Sequence, residues 1–206
     1  MANTESRALH QLLCGLSVTQ LRSLNDFDLP WLPRLECTAP EQLATAICES
    51  IYRCNINREG EFLQKLACLY AWLIPQNAQG NSWLLYRRDG TSAWSEDMTL
   101  HRRFMGLINY PGCLMTHATF SSDSGLYTCI ITTDPAIRPP DTHVVVCLSV
   151  WPGRPFLGFS SSGTITVERF YRALFWVLYG VPRELRIATF VTFEYMDTFV
   201  RTQQLS

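Results

Sequence analysis

The chain has 206 residues, 47% hydrophobic and 17% charged, with a formal net charge of −1. So low a charged share, against the usual figure of about 25%, excludes a disordered tail and supplies one large or two small packed domains. The longest uncharged apolar runs, Ala173–Val181 and Val144–Trp151, fall short of the about 20 residues that cross a bilayer, and near-neutral charge excludes a strongly basic, indiscriminate nucleic-acid binder.

Residues 1–75 carry a helical period. Leu9, Leu12, Leu13 and Leu16 recur three and four apart, and Ser17 offers an N-cap to a second helix with Val18, Leu21 and Leu24. Leu29–Pro33 reads as an irregular apolar connector. Thr38 and Glu41 have capping-box spacing, with Pro40 in the first turn of a helix that buries Leu43, Ala44, Ile47, Cys48 and Ile51. Asn57 can cap a fourth helix with Phe62, Leu66, Leu69 and Leu73 on one face, which Pro75 ends. These short helices predict a compact bundle, residues 1–75.

Gln76–Ser82 is polar, contains Gly80 and marks a boundary, after which residues 82–206 form a second domain. Trp83–Arg87 is a candidate strand. Asp97 caps a helix bearing Leu100, Phe104, Leu107 and Ile108. Cys113–Ser121 and Leu126–Thr133, joined through Ser122-Asp123-Ser124-Gly125, read as a hairpin. After the linker Pro135–Asp141, His143–Val150 is a continuous β-branched run of the kind found in a central strand. Phe156–Ser160 is a shorter strand. Thr164 caps a helix through Tyr179 that Gly180 stops, Arg186–Val191 is a strand and Phe193–Gln204 a last helix. The pattern predicts an α+β domain whose mostly antiparallel sheet carries its helices on one face. The short linker, flanked by Trp72, Trp83 and Trp94, predicts that the two halves do not move independently.

Motifs for chemistry are missing. The sequence has no phosphate-cradling G-x-x-x-x-G-K-[ST], no G-x-G-x-x-G and no H-E-x-x-H. Gly158-Phe159-Ser160-Ser161-Ser162-Gly163 misses nucleophile-elbow spacing by one residue. The eight cysteines (14, 37, 48, 54, 68, 113, 129 and 147) contain no C-x-x-C pair and sit mostly among apolar neighbours, as reduced core thiols would. Cys113 and His117 alternate onto one face of a strand, two ligands where a metal needs three or four. Asp26 and Asp28 flank Phe27 as turn residues. The expectation is a non-enzyme with no cofactor, no metal, no membrane contact and no small-molecule substrate. A separate oddity is that sixteen of the seventeen basic residues are arginine, Lys65 being the exception. Codon bias explains this as readily as a need for bidentate phosphate or carboxylate contacts.

Several stretches together resemble the N-terminal half of the centromere protein N family. They are Leu16-Ser17-x2-Gln20-Leu21-x2-Leu24, the Cys48–Tyr52 region, Asp97-Met98-x5-Phe104 and the hairpin Leu114–Thr133. The strand His143–Val150, Pro155-Phe156-x2-Phe159-Ser160-Ser161-Ser162, Arg172-Ala173-Leu174 and Tyr195-Met196-Asp197-Thr198-Phe199 complete the set. The resemblance implies a death-fold, pyrin-like bundle joined rigidly to an α+β domain, the two forming a groove for nucleosomal DNA and an exposed loop of the centromeric histone H3 variant. It further implies a nuclear inner-kinetochore subunit whose partners are the centromeric nucleosome and a centromere protein L-like subunit. Arg7 and His10 of the first helix then become candidates for nucleosome contact.

Residues 1–75 sum to −2 and residues 136–206 to +2, so nucleic-acid contact is expected mainly from the second half. The candidates are Arg169 and Arg172, on one face of a helix, with Arg102, Arg103, Arg154, Arg183, Arg186 and Arg201. An alternative reading is a pyrin-like adaptor that recruits protein partners and leaves DNA alone.

Overall fold

Helix α1 (Ala2–Cys14) buries Leu9 and Leu13, four residues apart, and Leu16 follows them into the same core. Ser17 caps α2 (Val18–Arg22) as its spacing predicts. Its hydroxyl accepts the Gln20 N–H at 3.2 Å, while Gln20 Oε1 accepts the Ser17 N–H at 3.0 Å. A 3-10 turn over Ser23–Asp26 leads into the apolar connector, which Asn25 holds through paired bonds with the Leu35 backbone, 2.8 and 3.1 Å. The computed structural model describes residues 2–27, 29–53, 59–77, 82–87, 99–109, 111–133, 143–161, 167–179 and 186–203. The expected caps Asn57, Asp97 and Thr164, the Pro135–Asp141 linker, and Asp28, Cys54, Trp94, Gly180 and Arg183 lie outside them.

Helix α3 (Pro40–Tyr52) starts one residue later than the Thr38–Glu41 box requires. Pro40 takes the first helical position, where its missing N–H leaves nothing unsatisfied, so Ala39 becomes the cap residue, and its methyl group makes no side-chain bond. Its buried face is the expected one, Leu43, Ala44, Ile47, Cys48 and Ile51.

Helix α4 (Glu59–Leu73) departs furthest from expectation. In place of one apolar stripe it buries Leu63, Lys65, Leu66, Ala67, Leu69, Ala71, Trp72 and Leu73, nearly its whole circumference. One side meets the other helices, and the opposite side lies across two strands. Those strands are β2 (Met115–Ser122) and β3 (Gly125–Thr133), which form the predicted hairpin with Ser122 opposite Gly125.

The remaining strands are β1 (Trp83–Arg87), β4 (His143–Val150), β5 (Phe156–Ser161) and β6 (Arg186–Phe190). The six form one antiparallel sheet in the order β2-β3-β4-β5-β1-β6. β4 is interior, and its run from Val144 to Val150 is buried on both faces, which is why it reads as unbroken hydrophobicity.

Three further helices follow: α5 (Thr99–Ile108), α6 (Val167–Tyr179) and α7 (Phe193–Thr202). They do not share one face. Phe104 and Ile108 of α5 and Phe170, Leu174 and Leu178 of α6 pack on Tyr86, Ile130, Val146, Leu148, Leu157 and Phe159. Phe193, Met196 and Val200 of α7 pack on the other face with Trp83, Leu85, Tyr127, Cys129, Ile131 and Cys147, in a core that α4 continues from the sheet into α1–α3. The sheet is therefore covered on both sides. The Gln76–Ser82 boundary marks a change of period, yet the core continues across it.

Polar contacts reinforce that junction. Gln64 of α4 donates to the His117 carbonyl of edge strand β2 at 3.1 Å and bonds the Thr116 hydroxyl. This satisfies part of an edge that would otherwise invite another strand. Asn77, in the left-handed region at φ 53, donates to Glu194 Oε2 at 3.3 Å and accepts the Glu194 N–H at 3.4 Å, pinning the start of α7. Phe27 meets Phe120 edge-on, ring centroids 4.9 Å apart.

Candidate functional site

A cleft of about 390 Å³ opens between α1 and α3, lined by Arg7, His10, Thr45, Cys48, Glu49 and Tyr52 among others. Hydrogen bonds orient the His10 ring. The Thr45 hydroxyl donates to the Glu41 carbonyl at 2.8 Å, so it can only accept from His10 Nε2–H at 3.1 Å. Nδ1 of the same ring stands 3.5 Å from the Cys14 sulfur. The spacing of His10 and Cys14, one helical turn apart, was present in the sequence, but Thr45 stands 35 residues away and no local pattern points to it.

A cysteine beside an oriented histidine is the arrangement of a nucleophile and its base. The electrostatics oppose that use. Burial, and then the negative charge of Glu41, push the Cys14 thiol up, and burial followed by Cys14 pushes Cys48 up to about 11. Both sulfurs stay protonated near neutral pH, whereas reactive cysteines need the thiolate. Arg7, which lines the cleft, is exposed, and Glu49 is held by Arg53 at 2.5 Å.

The candidate arginines fall into separate places. Arg102 and Arg103 are exposed on α5 and Arg172 on α6, across the sheet from the bundle. The expected pairing of Arg169 with Arg172 on one presented face is only partly realised. Arg172 is exposed and ion-paired with Glu168 at 2.6 Å, whereas Arg169 is half-buried with its guanidinium carbon 5.1 Å from the Phe170 ring centroid. Arg154 donates to the backbone carbonyls of Gln203 and Arg201, the latter at 3.4 Å. Arg201 bonds Asp197 at 2.7 Å and the Ser124 carbonyl at 3.0 Å, and Asp197 raises its pKa. These two hold α7 and the hairpin in place and have little left for a phosphate. Arg186 opens edge strand β6, and Arg183 is outside the described residues. The arginines therefore do not make one stripe with Arg7 and His10.

Cys113 precedes β2 while His117 lies within it, so the strand alternation that would pair them is not formed. Among the described residues no cluster of three metal-ligating side chains occurs, none of the seven cysteines is in a disulfide, and no helix is long and apolar enough to cross a membrane. Of the apolar residues that the sequence assigns to α5, Phe104 and Ile108 are buried but Leu107 is 50% exposed, and Trp176 of α6 is 54% exposed. No protein-family model matches the chain, and no curated protein does.

Proposed function

We propose that the chain is a non-enzymatic inner-kinetochore subunit of the centromere protein N type, nuclear and centromeric. Its partners on this reading are the nucleosome carrying the centromeric histone H3 variant and a centromere protein L-like subunit. The observation that supports this most is the placement of α4, buried on one side in the helical segment and on the other across β2 and β3. A pyrin-like bundle built rigidly onto an α+β domain is what that family's resemblance calls for. Arg7 and His10 at the α1–α3 cleft would then meet the nucleosome, with Arg102, Arg103 and Arg172 as outlying phosphate contacts.

The test is binding to reconstituted nucleosomes that carry either the centromeric variant or ordinary histone H3. The variant nucleosome should be preferred. With about four phosphates neutralised, affinity should fall roughly a hundredfold between about 50 and 200 mM salt. Changing Arg102, Arg103 and Arg172 together to alanine should flatten that dependence. Equal binding to both nucleosomes, or none at low salt, sinks the reading.

One observation favours the adaptor alternative, without DNA. The arginine-bearing helices lie across the sheet from a bundle that is itself net negative in sequence, so no continuous basic groove joins the halves among the described residues.

A further inference from the structure

The outer face of α5 and α6 combines two features that are each ordinary alone. The helices pack side by side on the sheet through Phe104 and Phe170, ring centroids 6.5 Å apart, with Ile108, Leu174 and Leu178 buried beneath. Their inward positions are thus fully used. On the outward side, α6 presents Glu168, Arg172 and Trp176 at successive turns, and α5 presents Arg102, Arg103 and Leu107. Trp176 and Leu107 leave about half their surface in water, though apolar partners lie one turn away on each helix. Three exposed arginines, Arg102, Arg103 and Arg172, stand on this pair of helices with one described carboxylate, Glu168, which pairs Arg172 at 2.6 Å, while the whole chain sums to −1. The positive charge is local to this layer.

We infer that this outer face docks an acidic amphipathic helix of a partner protein. The charge names the polar chemistry, since carboxylates on the partner can pair bidentately with arginine. The exposed indole and leucine name the rest. Two packed helices leave a groove between them on their outward side, and a third helix seats its apolar ridge there. Tryptophan and arginine are also the side chains that most often dominate interface energy, the first by area and the second by directed hydrogen bonds. Duplex DNA would engage the arginines and leave Trp176 and Leu107 in water, which is why a protein segment fits better. The inference competes with the phosphate role proposed above for Arg102, Arg103 and Arg172, and the duplex probe below decides between the two.

The test uses the full chain and fluorescein-labelled probes followed by anisotropy. One probe is a helical peptide with a leucine stripe flanked by glutamates; a second has those glutamates changed to glutamine; a third is a short DNA duplex. The acidic peptide should bind, and the glutamine peptide should bind at least about tenfold more weakly. Trp176→Ser, and Arg102→Glu with Arg103→Glu, should each weaken the acidic peptide by about tenfold or more. These positions are exposed, so circular dichroism should show the fold unchanged. Tyr195→Ser, at another exposed aromatic, should bind as the parent does. Three results would overturn the inference: no binding of the acidic peptide, equal weakening by Tyr195→Ser, or duplex binding that needs the arginines and ignores Trp176. The last would assign the face to nucleic acid.

Discussion

Trp151 donates its indole N–H to Asp197 Oδ1 at 2.6 Å, and the other oxygen of the same carboxylate accepts Arg201 Nε at 2.7 Å. Trp151 follows β4 and is 2% exposed, and its ring stacks on Phe193 at 6.2 Å. One carboxylate on α7 thus anchors the end of the central strand, while Arg201 reaches on to the Ser124 carbonyl in the hairpin turn.

Replacing that carboxylate should cost more than its partial exposure suggests. Asp197→Ala leaves a buried indole N–H without an acceptor and removes the charge partner of Arg201, together about 2–3 kcal/mol. For a chain of this size that lowers Tm by roughly 5–10 °C. Asp197→Asn keeps an acceptor for Trp151 and should lose about half as much. Thermal unfolding of both variants decides it: equal losses would mean that the indole bond contributes nothing.

Gly158 and Met196 should be energetically coupled. A Cβ at residue 158 would stand 2.5 Å from Met196 Cε and 3.2 Å from the Trp151 ring, on the sheet face that α7 covers. The methionine end can swing, so Gly158→Ala should cost about 1–3 kcal/mol, an overpacking loss. Met196→Ala alone should cost about 2–5 kcal/mol through the cavity it leaves. The double variant should lose clearly less than the sum, because the new methyl enters the vacated space. Strict additivity in urea unfolding would show that the backbone, and not Met196, absorbs the clash.

Much of this architecture was legible in local sequence. The Ser17 cap, the Ser122–Gly125 turn and the unbroken run His143–Val150 each state their own conformation, and each forms where its pattern puts it. What sequence could not give is the side of the sheet on which a helix lands. α5 and α7 are both amphipathic ten-residue helices, yet one packs with Leu148 and the other with Trp83. Amphipathicity fixes that a stripe is buried and is silent about the surface that buries it. The same gap hid the second buried side of α4: Phe62, Leu66, Leu69 and Leu73 marked the helix, but nothing local showed that Leu63, Lys65 and Ala67 would be buried as well. The candidate arginines failed in a related way. Spacing put Arg169 and Arg172 together, but Phe170 and Glu168, one residue and one turn away, decide what each guanidinium does. The Cys14–His10–Thr45 chain was half visible, in the one-turn spacing on α1.

Because the core is continuous through α4, both halves should unfold together. Leu66 is 2% exposed on that helix, and Leu66→Ala should cost about 2–5 kcal/mol. The helical signal at far-ultraviolet wavelengths and tryptophan emission should shift to the same lower midpoint, since Trp83 sits on the sheet face that α4 helps to cover. Two separated transitions, with only the first moved by the substitution, would show that the bundle melts alone.

The thiol of Cys48 should make stability fall in alkali. Burial, then Cys14, raises its pKa from 9.0 to about 11 in the folded chain, while in the unfolded chain it returns to its ordinary value. Below about pH 9 the thiol is protonated in both states and contributes no pH dependence. Between about 9 and 11 the unfolded chain sheds this proton and the folded chain keeps it, so unfolding becomes progressively easier. Other cysteines add to the trend, Cys129 among them, whose burial opposite Cys147 also raises its pKa. The contribution of Cys48 is therefore read by difference. Denaturant midpoints measured across pH 8 to 11 (roughly the span of thiol titration) should decline more steeply in the parent than in Cys48→Val. At the low end of that range iodoacetamide should modify exposed Cys37 well before Cys48. Parallel pH profiles for parent and variant, or early alkylation of Cys48 in the folded chain, would show that the α1–α3 interface opens readily and does not hold the thiol protonated.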